Sequence, residues 1–155
     1  MTIRTSRLDL VPLDEDTRAA IREGRGEGGA WAEGYPTPGD LDVAGMPSAP
    51  EPWTQYAIVE RASGLSVGGV GFHRGPIDGA VEIGYGLAPV ARGRGLATEA
   101  LLALLELAHA NGVLAVVAET DDGNVASERV LERCGFVRVG PGDDVTIWRH
   151  AAADL

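Results

Sequence analysis

Arg92-Gly93-Arg94-Gly95 is the stretch whose residue types and spacing most directly suggest chemistry. Ala97, Leu101, Leu104, Leu105 and Ala108 follow at helical spacing. A loop that opens a helix leaves backbone N–H groups without intrahelical partners, facing outward at the positive end of the helix dipole. With two arginines beside them, such groups form an anion site, and the spacing predicts a cradle for a phosphorylated ligand. Just upstream, Val81, Ile83, Tyr85 and Leu87 alternate with Glu82, Gly84 and Gly86. That is the period of a strand with one packed face, whose other face carries one carboxylate and two missing side chains.

The elements that must position this junction follow in chain order. Ser6 to Val11 reads as a strand, and Asp14 is placed to cap a helix that stops near Gly24. Residues 24–53 are irregular, rich in Gly and Pro, with a short helix expected near Asp40 to Ala44. A long irregular segment in a compact domain is usually functional or mobile. Its aromatics Trp31, Tyr35 and Trp53 are candidates to line an acceptor pocket or, equally, to anchor the loop. Gln55–Arg61 and Ser66–His73 read as a hairpin, and the turn at Arg74–Gly79 leads into the strand at Val81. After the helix, Asn111-Gly112 is a stop signal, and Leu114–Ala118 reads as a strand covered on both faces. Asn124 caps a helix ending near Cys134, and Phe136–Val139 and Val145–His150 close the pattern around a turn at Gly140-Pro141-Gly142. The tail after His150 reads as frayed. The expected fold is α/β of the α+β type in one domain spanning residues 1–155, with three sequential antiparallel strands before the central helix.

Composition narrows the function classes. A hydrophobic share of 45% and a charged share of 23% suit a soluble globular protein. No apolar run reaches the roughly 18 residues of a membrane span, and the N-terminus lacks a signal-peptide core. The lone cysteine, Cys134, excludes an internal disulfide and fits a reducing, cytoplasmic location. Cysteine and histidines are scattered, so no metal site is expected. A net charge of −10 argues against nucleic acid as a partner, and it either serves solubility or suits a cationic acceptor. An exposed sheet edge would make a homodimer plausible.

Known phosphate loops separate on the same residues. A Walker loop requires a lysine after its second glycine, and the sequence contains none. A dinucleotide fingerprint requires a third glycine where Thr98 stands, and a parallel strand before the loop. Arg92, Gly95 and Ala97 instead satisfy the Arg/Gln-x-x-Gly-x-Gly/Ala signature of the GNAT superfamily of N-acetyltransferases, which this chain resembles. Leu87-Ala88-Pro89 is similar to the segment that ends the family's preceding strand. Asn124-Val125-Ala126-Ser127 and Leu131-Glu132-Arg133-Cys134-Gly135-Phe136 resemble its second signature helix. Glu82-Ile83-Gly84-Tyr85 and Thr98-Glu99-Ala100 resemble the branch of RimJ/RimL-type ribosomal-protein N-terminal acetyltransferases.

The resemblance implies a mixed, mostly antiparallel central sheet flanked by helices and splayed at the cofactor cleft. It implies acetyl-CoA as acyl donor, with no metal. Backbone N–H groups from Arg92 through Gly93, Arg94, Gly95 and Leu96 to Ala97, with Thr98 adjoining, would hold the pyrophosphate. Leu87 would pair with the pantetheine arm, and Asn124 and Ser127 would face the thioester. Acetyl transfer needs a neutral amine, so a base is required, and Glu82 is the first candidate. It also stands with Trp31, Tyr35 and Trp53 as an acceptor-side residue. Many family members protonate the leaving thiolate with a tyrosine where this chain has Leu131. Ser127 is therefore the expected donor, and a CoA-holding module without catalysis is the competing expectation. His73, His109 and His150 show no partner in sequence, and His109 is expected to serve its helix C-terminus. The acceptor stays open among a basic protein terminus, a polyamine, an aminoglycoside-like amine and a small metabolite.

Overall fold

The computed structural model describes residues 1–24 and 30–152. The loop glycines 26, 28 and 29 and the end of the tail lie outside the described residues. The strands are β1 (Ile3–Arg4), β2 (Leu8–Pro12), β3 (Gln55–Glu60), β4 (Leu65–Phe72), β5 (Ala80–Leu87), β6 (Ala115–Asp121), β7 (Val137–Pro141) and β8 (Val145–Ala151). The helices are α1 (Glu15–Glu23), α2 (Pro38–Ala44), α3 (Leu96–Ala110) and α4 (Val125–Arg133). All eight strands join one sheet in the order β1-β2-β3-β4-β5-β6-β8-β7. Every named pairing is antiparallel except β5 with β6, as the expected mixed, mostly antiparallel sheet requires.

Local signals set most boundaries. Asp14 accepts from Thr17 N at 2.7 Å, and Gly24 closes α1 with φ of 68°. Thr37 and Asp40 form a reciprocal capping box with Pro38 at the first turn, so α2 begins ahead of the expected Asp40. Asn124 caps α4 by accepting from Ser127 N at 3.2 Å. The buried guanidinium of Arg18 on α1 donates to Val43 O and Met46 O, and Arg22 donates to Ala44 O, so α1 holds the C-terminal end of α2.

Three expectations change. β1 is too short to carry a pattern, and its register with β2 defines it. Leu114 lies outside β6 and is 65% exposed, so the apolar run is not covered throughout. β7 continues to Pro141 through a bulge, because an edge strand tolerates a residue with no N–H to donate.

The core lies between the sheet and α3. Leu8, Leu10, Ile58 and Ile83 of the sheet and Leu96, Leu101 and Leu104 of α3 are nearly or fully buried. Each such side chain contributes about 1.5–3 kcal/mol on burial. This packing fixes the start of α3 against the end of β5.

Candidate active site

The loop from Arg92 to Gly95 turns twice through left-handed backbone, with φ of 80° at Gly93 and 76° at Gly95, a conformation that favours glycine. Gly95 caps α3 without any side-chain hydrogen bond. The first intrahelical bond runs from Glu99 N to Gly95 O, so the N–H groups of Leu96, Ala97 and Thr98 have no helical partner. Leu96 and Ala97 turn their side chains into the core, while residues 92–95 are exposed. Arg92 Nε donates to Leu87 O at 3.3 Å, which ties the end of β5 to the loop.

Arg94 pairs with Glu60 of β3 at 2.5 Å, and its carbonyl accepts from Arg7 at 2.8 Å. Its guanidinium therefore braces the loop from outside. Glu99 completes the brace by accepting from Thr5 Oγ1, Arg7 N and Arg7 Nε. Burial pushes the Glu99 carboxyl upward, but these donors outweigh it and hold it below its ordinary value.

β5 and β6 pair in register only at Ala80–Ala115, Val81–Val116 and Glu82–Val117. From Ile83 onward β5 pairs only with β4, while β6 continues with β8. The sheet thus opens into a wedge that begins at Glu82 and ends at the glycine loop. This wedge fits a pantetheine arm, and the unpaired amides of α3 fit a pyrophosphate.

Opposite the α3 side, glycines form a floor. Gly69 faces Gly86 and Gly71 faces Gly84 across the β4–β5 ladder. At Gly69 the place of a Cβ is taken by Asp40 Oδ1, at Gly71 by Gln55 and at Gly84 by His73 Nε2, 3.0 Å away. At Gly86 that place is empty. Above the floor is a cavity of about 210 Å³ walled by Ile21, Tyr35, Val43 and Tyr56, and bordered by the Asp40 carboxylate and the His73 imidazole.

The sequence shows no partner for His73, and the structure supplies one: its Nδ1 lies 2.5 Å from Glu82 Oε1, and both side chains are about one-third exposed. A carboxylate at Nδ1 favours the tautomer that leaves Nε2 as acceptor, turned toward Gly84 and the cavity. His73 is the functional candidate that sequence reasoning missed. The hairpin hides it, because counting outward from the Arg74–Gly79 turn sets residue 73 opposite residue 80, whereas the register with Phe72 opposite Ile83 sets it opposite Glu82.

On the other side of the wedge, Tyr85 Oη lies 2.7 Å from Ser127 Oγ and donates to Ser127 O at 3.1 Å. Burial pushes the Tyr85 phenol up, so it stays protonated near neutral pH, although the bond to Ser127 opposes the shift. Leu131 is fully buried, and Cys134 contacts Thr98 O through its thiol at 3.8 Å. Burial pushes that thiol up to about 11, which makes it a poor nucleophile.

The aromatic candidates separate. Tyr35 lines the cavity, with its phenol pushed up by burial and by Asp40. Trp31 packs edge-on against Tyr35 at 5.7 Å, and Trp53 packs edge-on against Phe72 at 5.1 Å. Neither tryptophan lines this cavity. His109 Nε2 meets His150 Nδ1 at 2.9 Å, and its own Nδ1 meets Val113 O, just past the C-terminus of α3. Among the described residues no cluster of ligating side chains could hold a metal, and no helix is long and apolar enough to cross a membrane.

Comparison with known proteins agrees with this geometry. No curated protein sequence matches the chain. Among solved structures, an acetyltransferase from Agrobacterium tumefaciens str. C58 is 25% identical with a TM-score of 0.72, over 98% of this chain and 95% of that one. The ribosomal L7/L12 α-N-protein acetyltransferase RimL in complex with coenzyme A is 20% identical with a TM-score of 0.72, over 97% and 98% of the two chains. A ribosomal-protein-S5-alanine acetyltransferase from Vibrio fischeri shares the fold at 14% identity with a TM-score of 0.70, over 97% and 96%. Residues 7–137 match the sequence profile of the acetyltransferase (GNAT) domain, and the chain belongs to that family of enzymes.

Proposed function

We propose that this chain, acting as one acetyltransferase domain, transfers the acetyl group of acetyl-CoA directly to a primary amine in a ternary complex. One observation carries the reading. The unpaired amides at the start of α3 open onto the β5–β6 wedge, and the His73–Glu82 pair faces the cavity on the other side of β5. A donor and an acceptor can thus meet across the glycines of β5 without either leaving its site, which is the proximity that direct transfer needs.

The residues divide the work as follows. The N–H groups of Leu96, Ala97 and Thr98, the glycines at 93 and 95 and the Arg92 guanidinium hold the pyrophosphate. Arg94 supports the loop through Glu60. Backbone groups near Leu87 on the unpaired edge of β5 receive the pantetheine arm, and Asn124 and Ser127 close over it from α4. Acetyl-CoA supplies the thioester carbonyl.

A free amine is mostly protonated near pH 7, with a pKa of about 8 for an α-amine and about 10.4 for a lysine-type amine. His73 Nε2 takes the amine's proton, and the Glu82 carboxylate holds the imidazole in the accepting tautomer and steadies its charged form. The sequence expectation gave the proton to Glu82 itself; the geometry supports His73 as the accepting atom and Glu82 as the group behind it. A backbone N–H near Leu87 is the candidate donor to the oxyanion. The departing thiolate takes a proton from the Ser127–Tyr85 pair, which recovers it from solvent.

The test is release of free CoA thiol from acetyl-CoA over a broad panel of amines. Amine-dependent release is the expected result. Binding of CoA with no release above background for any amine would overturn it.

A further inference from the structure

Among the described residues, Asp40 is the one carboxylate that lines the cavity over the glycine floor, and acetyl transfer does not use it. Asp40 is 9% exposed. Its Oδ2 accepts from Thr37 N and Thr37 Oγ1, each at 2.8 Å, which satisfies the capping box. Its Oδ1 has no donor among the described residues and lies 2.7 Å from where a Cβ on Gly69 would stand. A cap needs only one of the two oxygens. The other occupies space that only a glycine at 69 leaves free, and it borders the cavity. A carboxylate oxygen that takes no protein donor and borders a cavity is placed to accept from a protonated amine there.

Its place relative to the base is set by the ladder. Gly69 pairs with Gly86, and His73 Nε2 covers Gly84, two residues along the same strand. Gly69 and Gly84 are thus diagonal neighbours on the ladder, and Asp40 and His73 border the same cavity. Leu13, Ile21 and Val43 supply an apolar wall between these two polar ends. The chain's net charge of −10 favours a multiply charged cation over a neutral molecule.

We propose that the acceptor is a small amine with a second, protonated nitrogen across a short alkyl spacer, the class of the α,ω-diaminoalkanes. The reacting nitrogen lies at His73 and the distal ammonium at Asp40 Oδ1. The inference rests on the acetyl-transfer reading and adds the acceptor's second charge to it.

The experiment compares 1,4-diaminobutane with n-butylamine, which differs from it by the distal nitrogen. Initial rates of CoA release are measured for the wild type, for Asp40→Asn and for Gly69→Ala. Asparagine keeps an oxygen for the Thr37 cap and removes the charge. An alanine at 69 keeps the charge and displaces it, since its Cβ would meet Oδ1. In the wild type, kcat/KM for the diamine exceeds that for the monoamine by about tenfold or more, and the excess lies in KM. In both variants that ratio falls toward one. Melting curves recorded alongside confirm that the variants are folded. Equal kcat/KM for the two amines in the wild type overturns the inference and leaves acetyl transfer standing, as does an unchanged ratio in both folded variants. Absence of thiol release with every amine tested overturns acetyl transfer itself, and this inference with it.

Discussion

His73 and Glu82 are joined twice across the β4–β5 turn. The His73 backbone N–H donates to Glu82 O at 3.0 Å, and the His73 imidazole meets the Glu82 carboxylate at 2.5 Å. The ladder therefore fixes the ring before any ligand arrives. Its free nitrogen lies over Gly84, where a larger residue would push it away.

His73→Gln removes the proton acceptor and is expected to lower kcat/KM by about 10²–10⁴-fold. Glu82→Gln leaves the acceptor in place and loosens only its tautomer, so its loss is smaller. Initial rates of thiol release with a fixed amine measure both losses; wild-type kcat/KM in His73→Gln would count against His73.

Tyr85 and Ser127 are expected to act as a unit. A thiolate of pKa about 8.5 leaves with little help, so Tyr85→Phe and Ser127→Ala each lower kcat by about tenfold or less. The double variant should be no slower than the slower single variant, because either change breaks the same path. Multiplicative losses would show two independent roles.

Gly95 holds φ of 76° at the mouth of the cradle. Gly95→Trp adds bulk beside the unpaired amides and strains the backbone by about 1–2 kcal/mol. CoA affinity, read by calorimetry, should fall by more than about tenfold in protein that still melts cooperatively. Wild-type affinity would refute the placement of the pyrophosphate.

Glu99 links acid stability to the same loop. Its carboxyl is held below its ordinary value in the fold, so its contribution is present above the unfolded carboxylate range, about pH 4.3, and is lost as pH falls through the folded value. Glu99→Gln should lower stability by about 1–2 kcal/mol near neutral pH, a figure already reduced for the solvent around Arg7. The gap between the two proteins should close in acid. Thermal melts across the acid range measure it, and a gap independent of pH would contradict the assignment.

Sequence made legible the elements that depend on local chemistry. The Asp14 and Asn124 caps, the glycine loop and the period-2 pattern of Val81–Leu87 all encode their structure within a few residues. Wedge and cradle followed from that junction together with the family resemblance. What stayed hidden depends on contacts distant in sequence. Tyr85 reaches Ser127 only after α4 packs back across the sheet, and no local spacing encodes that. Asp40 reads as a cap, and its second oxygen gains meaning only when α2 lies over Gly69. Arg94 reads as a phosphate ligand until Glu60, on another strand, takes its guanidinium. The aromatics of the loop could not be sorted by composition, because anchoring and lining use the same residue types.

Bisubstrate initial-velocity kinetics test the central claim most directly. Acetyl-CoA and an amine from the panel are varied together, and free thiol is followed. Direct transfer in a ternary complex predicts amine-dependent thiol release with double-reciprocal lines that intersect. Parallel lines would indicate an acetylated protein intermediate, and thiol release independent of amine would indicate hydrolysis alone; either result would contradict the account.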